Sequence, residues 1–166
     1  MKKRRSFEPG HHRKFLIVVD GSQESEAALY YAAARIRHSS GSIVLLYLIE
    51  PQDFQHWVGV RDVHIEEETN KAKAMFRLFR RKLKREGSED VAVEEVIREG
   101  TRAEEIVAHV DEDEDVAILV LGAAADAKGP GPLVSALASG STAGQYPIPI
   151  TIVPGNLTVE EIEALA

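Results

Sequence analysis

The chain alternates between two incompatible periodicities. Unbroken apolar runs at Phe15–Val19, Ile43–Ile49 and Val116–Leu121 are too short for helices and read as strands buried on both faces. Between them the apolar residues recur at helical spacing: Ala28, Leu29, Ala32, Ala33 and Ile36 in the stretch from Glu24 to His38, then Ile65, Ala72, Phe76, Phe79 and Leu83 between Val63 and Glu86. Val91–Ile97 predicts a less apolar strand, placed nearer a sheet edge, and Ile148–Val153 predicts a fifth strand. Short helices are predicted after Thr101, with Thr101 and Glu104 as a capping box, from Leu133 to about Ala143, and from Thr158 to Leu165. Strands alternating with helices require a parallel sheet covered on both faces. Right-handed crossovers reduce the choices to an α/β, doubly wound five-stranded parallel sheet.

Composition narrows the chemistry. The 166 residues include no cysteine, which removes disulfides, thiolate catalysis and cysteine-ligated metals, and fits a reducing compartment. No apolar run approaches the roughly 20 residues of a membrane span, and no apolar segment follows the basic start, so neither a membrane partner nor a secretory leader is expected. Charge is unevenly distributed. Residues 1–14 carry six Lys/Arg and one Glu, whereas the rest carries 14 Lys/Arg and 26 Asp/Glu. The acidic body disfavours nucleic acid as a partner. Residues 1–13 read as a flexible basic arm, 14–154 as the α/β domain and 155–166 as a helical extension. The run Asp111–Asp115 lacks the calcium-loop pattern and reads as a solvated turn. The basic positions from Arg77 to Arg85 read as a solvated helix face.

In doubly wound sheets ligands sit beyond the carboxyl ends of the strands, at the switch point. Three features converge there: Asp20-Gly21-Ser22 after the first strand, Leu48-Ile49-Glu50 at the end of the second, and Gly122 with the loop Gly129-Pro130-Gly131 after the fourth. Asp20 offers an acceptor to a base amine or a ribose hydroxyl. The glycines allow backbone N–H groups to approach an anion. The P-loop and dinucleotide fingerprints are both absent. None of the six histidines falls in a metal-ligand pattern. Ser22, Ser135 and Ser141 lack a nucleophile-elbow context and read as caps or phosphate contacts.

Val18-Val19-Asp20-Gly21-Ser22, Leu45–Ile49, Arg98-Glu99-Gly100 ahead of Ala103-Glu104-Glu105-Ile106, Ile118–Gly122 and Pro147–Val153, in that order, resemble the universal stress protein family over roughly residues 14–154. The resemblance implies an α/β fold of the kind just derived and a homodimer paired through the last strand, Ile148–Val153. In its nucleotide-binding members it implies ATP or another adenine nucleotide, with Mg²⁺ only as its companion. Asp20 and Leu48 match the positions that hold adenine. The family's phosphate motif, G-x2-G-x9-G-[ST], begins at Gly122. Its second glycine falls on Ala125 and its final pair on Ser135-Ala136, so Gly129 and Gly131 stand as substitute glycines, with Ser135 near the start of the following helix. The expected site is therefore Asp20, Leu48, Gly122, Gly129, Gly131 and Ser135.

Two functions follow from the resemblance: a cytoplasmic stress-response protein with an adenine nucleotide as regulatory ligand, or a homodimeric interaction module without nucleotide. Catalysis ranks below both, amounting at most to slow ATP hydrolysis or autophosphorylation, since Lys128 is the lone candidate for a phosphate clamp. The ligand account requires that the hollow above the first and fourth strands not be plugged by Trp57 or Leu133.

Overall fold

The computed structural model describes residues 2–52, 59–126, 128–138, 144 and 146–166. Trp57, Gly140 and Ser141 lie outside the described residues. The elements are β1 (Lys14–Val18), α1 (Glu24–Arg37), β2 (Ser42–Ile49), α2 (Val60–Arg85), β3 (Val93–Glu99), α3 (Arg102–Glu112), β4 (Val116–Ala123), α4 (Pro132–Leu137), β5 (Ile150–Pro154) and α5 (Val159–Leu165). All strand pairs are parallel, in the order β3-β2-β1-β4-β5, so the chain winds outward from β1 in one direction and then returns to build the other half. The expected doubly wound α/β sheet is the fold observed.

Strand pleating divides the core in two. Phe15, Ile17 and Val19 of the first strand and its extension join Ile43, Leu45 and Tyr47 beneath α1, α2 and α5. Leu16, Val18, Val44 and Leu46 point the other way, into a core closed by Ile106 and Val110 of α3 and Leu133, Val134 and Leu137 of α4. Residues of β1 on both faces are therefore buried, which is why that strand shows no polar alternation. β3 has no fully buried residue, as suits an edge strand, and its charged residues are engaged in ion pairs. Glu95 meets Arg80 at 2.7 Å, Glu99 meets Arg61 at 2.7 Å, and Arg98 reaches Glu105 and Glu112, each at 2.8 Å.

Several local expectations are revised. β5 begins at Ile150 rather than Ile148, whose side chain is buried in the second core just ahead of the strand. α4 is a helix over Pro132–Leu137, and residues 139–143 of the expected helix lie outside the described residues. Leu133 is folded into the core beneath β4 and lines neither of the hollows described below. Thr101 is the N-cap of α3 by backbone geometry, yet its hydroxyl makes no capping bond. Glu105 instead folds over Gly100 toward Arg98. The capping box forms at Thr158–Glu161, with hydrogen bonds of 3.1 and 2.8 Å in the two directions.

The basic arm, expected to be flexible, lies along the acidic run. Arg4 Nη1 donates to the carbonyls of Val110 (2.5 Å), Asp113 (3.0 Å) and Val116 (3.3 Å). The Arg5 amide donates to Glu114 O, the Ser6 hydroxyl donates to Asp115 O, and the His11 ring meets Asp115 at 2.7 Å. Lys14 Nζ lies 2.7 Å from Asp113 and 3.0 Å from Glu94. Of the carboxylates expected to face solvent, Asp111, Glu114 and Asp115 are thus partners of the arm, Asp113 is the partner of Lys14 in β1, and Glu112 that of Arg98.

Candidate functional site

At the carboxyl end of β1 the chain leaves the sheet through Asp20-Gly21-Ser22. Asp20 accepts from the Ser22 amide at 3.0 Å and from its hydroxyl at 2.5 Å, a local turn that holds the carboxylate at the sheet's rim. Gly21 has φ +78°, a conformation that calls for glycine, while a Cβ there would meet only the flexible end of Met75, 2.9 Å from Cε. Helix α1 then begins at Glu24. Its first turn carries Glu24 and Glu26, carboxylates favoured there by the helix dipole.

A cavity of about 210 Å³ opens above the ends of β1 and β2. Val18, Val19 and Leu48 supply apolar wall, and Asp20 and Glu50 supply carboxylates. From α2 come His64 and Glu68, one helical turn apart. Tyr47 closes one side, its hydroxyl donating to Glu68 Oε2 at 2.5 Å, and Lys71 meets the other Glu68 oxygen at 3.0 Å. The Tyr47 bond, with help from Lys71, holds the Glu68 carboxyl below its ordinary range despite partial burial. Burial and the Glu68 carboxylate together push the Tyr47 phenol well up, so it stays a protonated donor. Arg102, opening α3, pairs with Glu50 at 3.1 Å across the cavity's mouth.

The glycine loop after β4 lines a second hollow, of about 390 Å³, together with Glu24, Asp126, Lys128 and Ser135. The structure therefore distributes the expected site residues over two neighbouring hollows joined by the turn 20–23: Asp20 and Leu48 in the first, Gly129, Gly131 and Ser135 in the second. Gly122 lines neither. A Cβ on Gly122 would fall 1.7 Å from the Glu24 carbonyl oxygen, so its role is to let the start of α1 press against β4. Gly155 does the same from beyond β5, its Cβ position lying 2.9 Å from Glu24 Cβ. A Cβ on Gly131, where φ is +96°, would stand 3.0 Å from Glu24 Oε1.

Most of the second hollow's main chain is already engaged. The Lys128 amide donates to Asp126 Oδ1, the Ala124 amide to Pro130 O and the Ser135 amide to Gly131 O, while Pro130 and Pro132 have no N–H. Among the described residues, no group of three or more His, Asp or Glu is placed to hold a metal ion. Nor is any helix long and apolar enough to cross a membrane.

Sequence reasoning missed Glu24, Tyr47, Glu68 and Arg102. Tyr47 reads as core in an apolar run. His64 and Glu68 become visible as a pair only once α2 is known to begin at Val60 and pass over the ends of β1 and β2.

A family model described as the universal stress protein family matches residues 11–154. No curated protein matches the sequence. Among solved structures, the universal stress protein UspA from Lactobacillus plantarum superposes with a TM-score of 0.62 at 16% identity, covering 85% of this chain and 97% of the other. A universal stress protein family protein from Arabidopsis thaliana, solved with AMP bound, gives 0.55 at 16% identity, covering 86% and 91%. A universal stress protein solved in complex with cAMP gives 0.50 at 16% identity, covering 87% and 98%.

Proposed function

The chain belongs to the universal stress protein family, and from that footing we propose that it is a cytoplasmic stress-response protein that holds an adenine nucleotide as a regulatory ligand. The observation carrying this is the cavity above β1 and β2, where Val18, Val19 and Leu48 stand together with the Asp20 carboxylate in an otherwise polar lining. Its volume of about 210 Å³ is below the ~300–1,000 Å³ of pockets that enclose a whole drug-sized ligand, so it suits the base alone. Asp20 is an acceptor for the exocyclic amine or a ribose hydroxyl, and the rest of the ligand would extend past the turn 20–23 toward the glycine loop. The AMP and cAMP bound by two structural neighbours support the ligand class.

The same reading includes a homodimer paired through β5, a sheet edge on which Ile152 is exposed beside a hollow lined by Tyr146, Pro147, Pro149 and Ile150.

Calorimetry of the full chain with adenosine, AMP, ADP and ATP tests the ligand. Saturable binding weakened at least ~10-fold by Asp20→Ala, about 1.4 kcal/mol, is the expected result. No heat with any of the four at millimolar concentration would replace this reading with the nucleotide-free interaction module.

A further inference from the structure

We propose that Glu24 sets the charge class of the ligand, making the site selective for adenosine and AMP over ADP and ATP. The inference rests on the adenine-ligand reading and concerns the far end of the same ligand. That end must enter the hollow of the glycine loop, and Glu24 already stands in it.

The Glu24 backbone is fixed by close approach on two sides, against β4 at Gly122 and against the turn after β5 at Gly155. From that anchored position its carboxylate reaches the main chain of Gly131, where a Cβ would be 3.0 Å from Oε1. Asp126 adds a second carboxylate to the same hollow, and Lys128 is the cation opposing them. A chain of two or three phosphates would bring several negative charges into this net-negative space. Among the described residues it would also meet amides at Ala124, Lys128 and Ser135 that are already engaged within the loop, and the two prolines have none. A nucleoside or monophosphate avoids most of this conflict, since its base and ribose are held at Asp20 and Leu48 and at most one phosphate approaches Glu24.

The test is calorimetric titration of the full chain, wild type, Glu24→Gln and Asp126→Asn, with adenosine, AMP, ADP and ATP in Mg²⁺-containing buffer. The expected result is that wild type binds AMP at least ~10-fold more tightly than ATP. Glu24→Gln, which keeps size and removes charge, should tighten ATP about 10-fold while changing adenosine less than ~3-fold. Asp126→Asn, on an exposed turn, should act in the same direction more weakly and serves if Glu24→Gln lowers the melting temperature. Equal affinities for AMP and ATP in wild type, or ATP binding unmoved by both substitutions, overturn the role of Glu24 and leave the adenine reading standing. Failure of all four ligands to bind any of the three proteins overturns both.

Discussion

Gly122 and His109 show how residues of plain appearance acquire definite roles. Gly122 was expected to face phosphate, and instead it admits the α1 backbone, with Glu24 O 1.7 Å from where its Cβ would be. Gly122→Ala should therefore cost more than about 2 kcal/mol in urea denaturation, through displacement of α1 from β4. Gly129→Ala is the control, because nothing lies within 4 Å of its Cβ and only its φ of +113° opposes the change, at about 1–2 kcal/mol. His109 is buried and its Nε2 has no hydrogen-bond partner among the described residues. Burial pushes its pKa below the ordinary 6.5, against the raising influence of Asp113, Glu94 and Glu112, with Arg98 adding to the lowering. Between the lowered native value and 6.5 the unfolded chain binds the proton more readily, so His109 favours the native state above that window and ceases to do so as pH falls through it. Denaturation series from about pH 7.5 to 5 should show a fall in stability of up to ~1.4 kcal/mol per pH unit from this group. That component should vanish in His109→Gln. In the sequence, Asp20 and Leu48 were legible because strand ends are where such sheets place ligands. Glu24 was not, because an acid in the first turn of a helix is explained by the dipole alone.

At the level of elements, apolar runs located every strand, while their ends were set by partners that only the fold supplies. β3 runs on to Arg98 and Glu99 because their ion pairs with α3 and Arg61 hold polar residues in an edge ladder. β5 begins later than its apolar sequence does, since Ile148 turns into the core. The expected capping box and the observed one differ for the same reason. The Thr101 pattern is satisfied in sequence, but the first turn of α3 is held by Glu105 and Arg98, whereas Thr158–Glu161 forms the reciprocal pair. Thr158→Ala should cost about 1 kcal/mol in thermal or urea denaturation, because α5 depends on that cap to bring Ile162 into the core beside α1. Thr101→Ala should change stability by less than ~0.5 kcal/mol.

For the whole molecule, the outward winding from β1 leaves β3 and β5 as the two edges, and they differ. β3 is laced with ion pairs, while β5 offers Ile152 to solvent beside an apolar hollow. In the proposed homodimer, strand pairing with a second copy would cover this edge. Light scattering should give about twice the 18.3 kDa chain mass, and Ile152→Lys should return it to the monomer value with the fold intact by circular dichroism. A wild-type monomer would remove the dimer from the reading. The doubly wound parallel sheet and its helical layers followed from the alternation of periods in the sequence. The docking of the arm did not, because net charges of opposite sign announce attraction but no geometry. Arg4 bridges three carbonyls at the entrance to β4, a contact that needs the fold in place before it exists.

That attachment has a practical corollary. Because the strands are parallel, the arm is tied down at their amino ends, beside Asp113–Val116, while Asp20 and Leu48 stand at their carboxyl ends. An affinity label or fluorophore joined ahead of Lys2 would thus leave on the underside, and protein tethered to a sensor chip by that label would present the hollow at Asp20 and Leu48 unobstructed to the flowing solution.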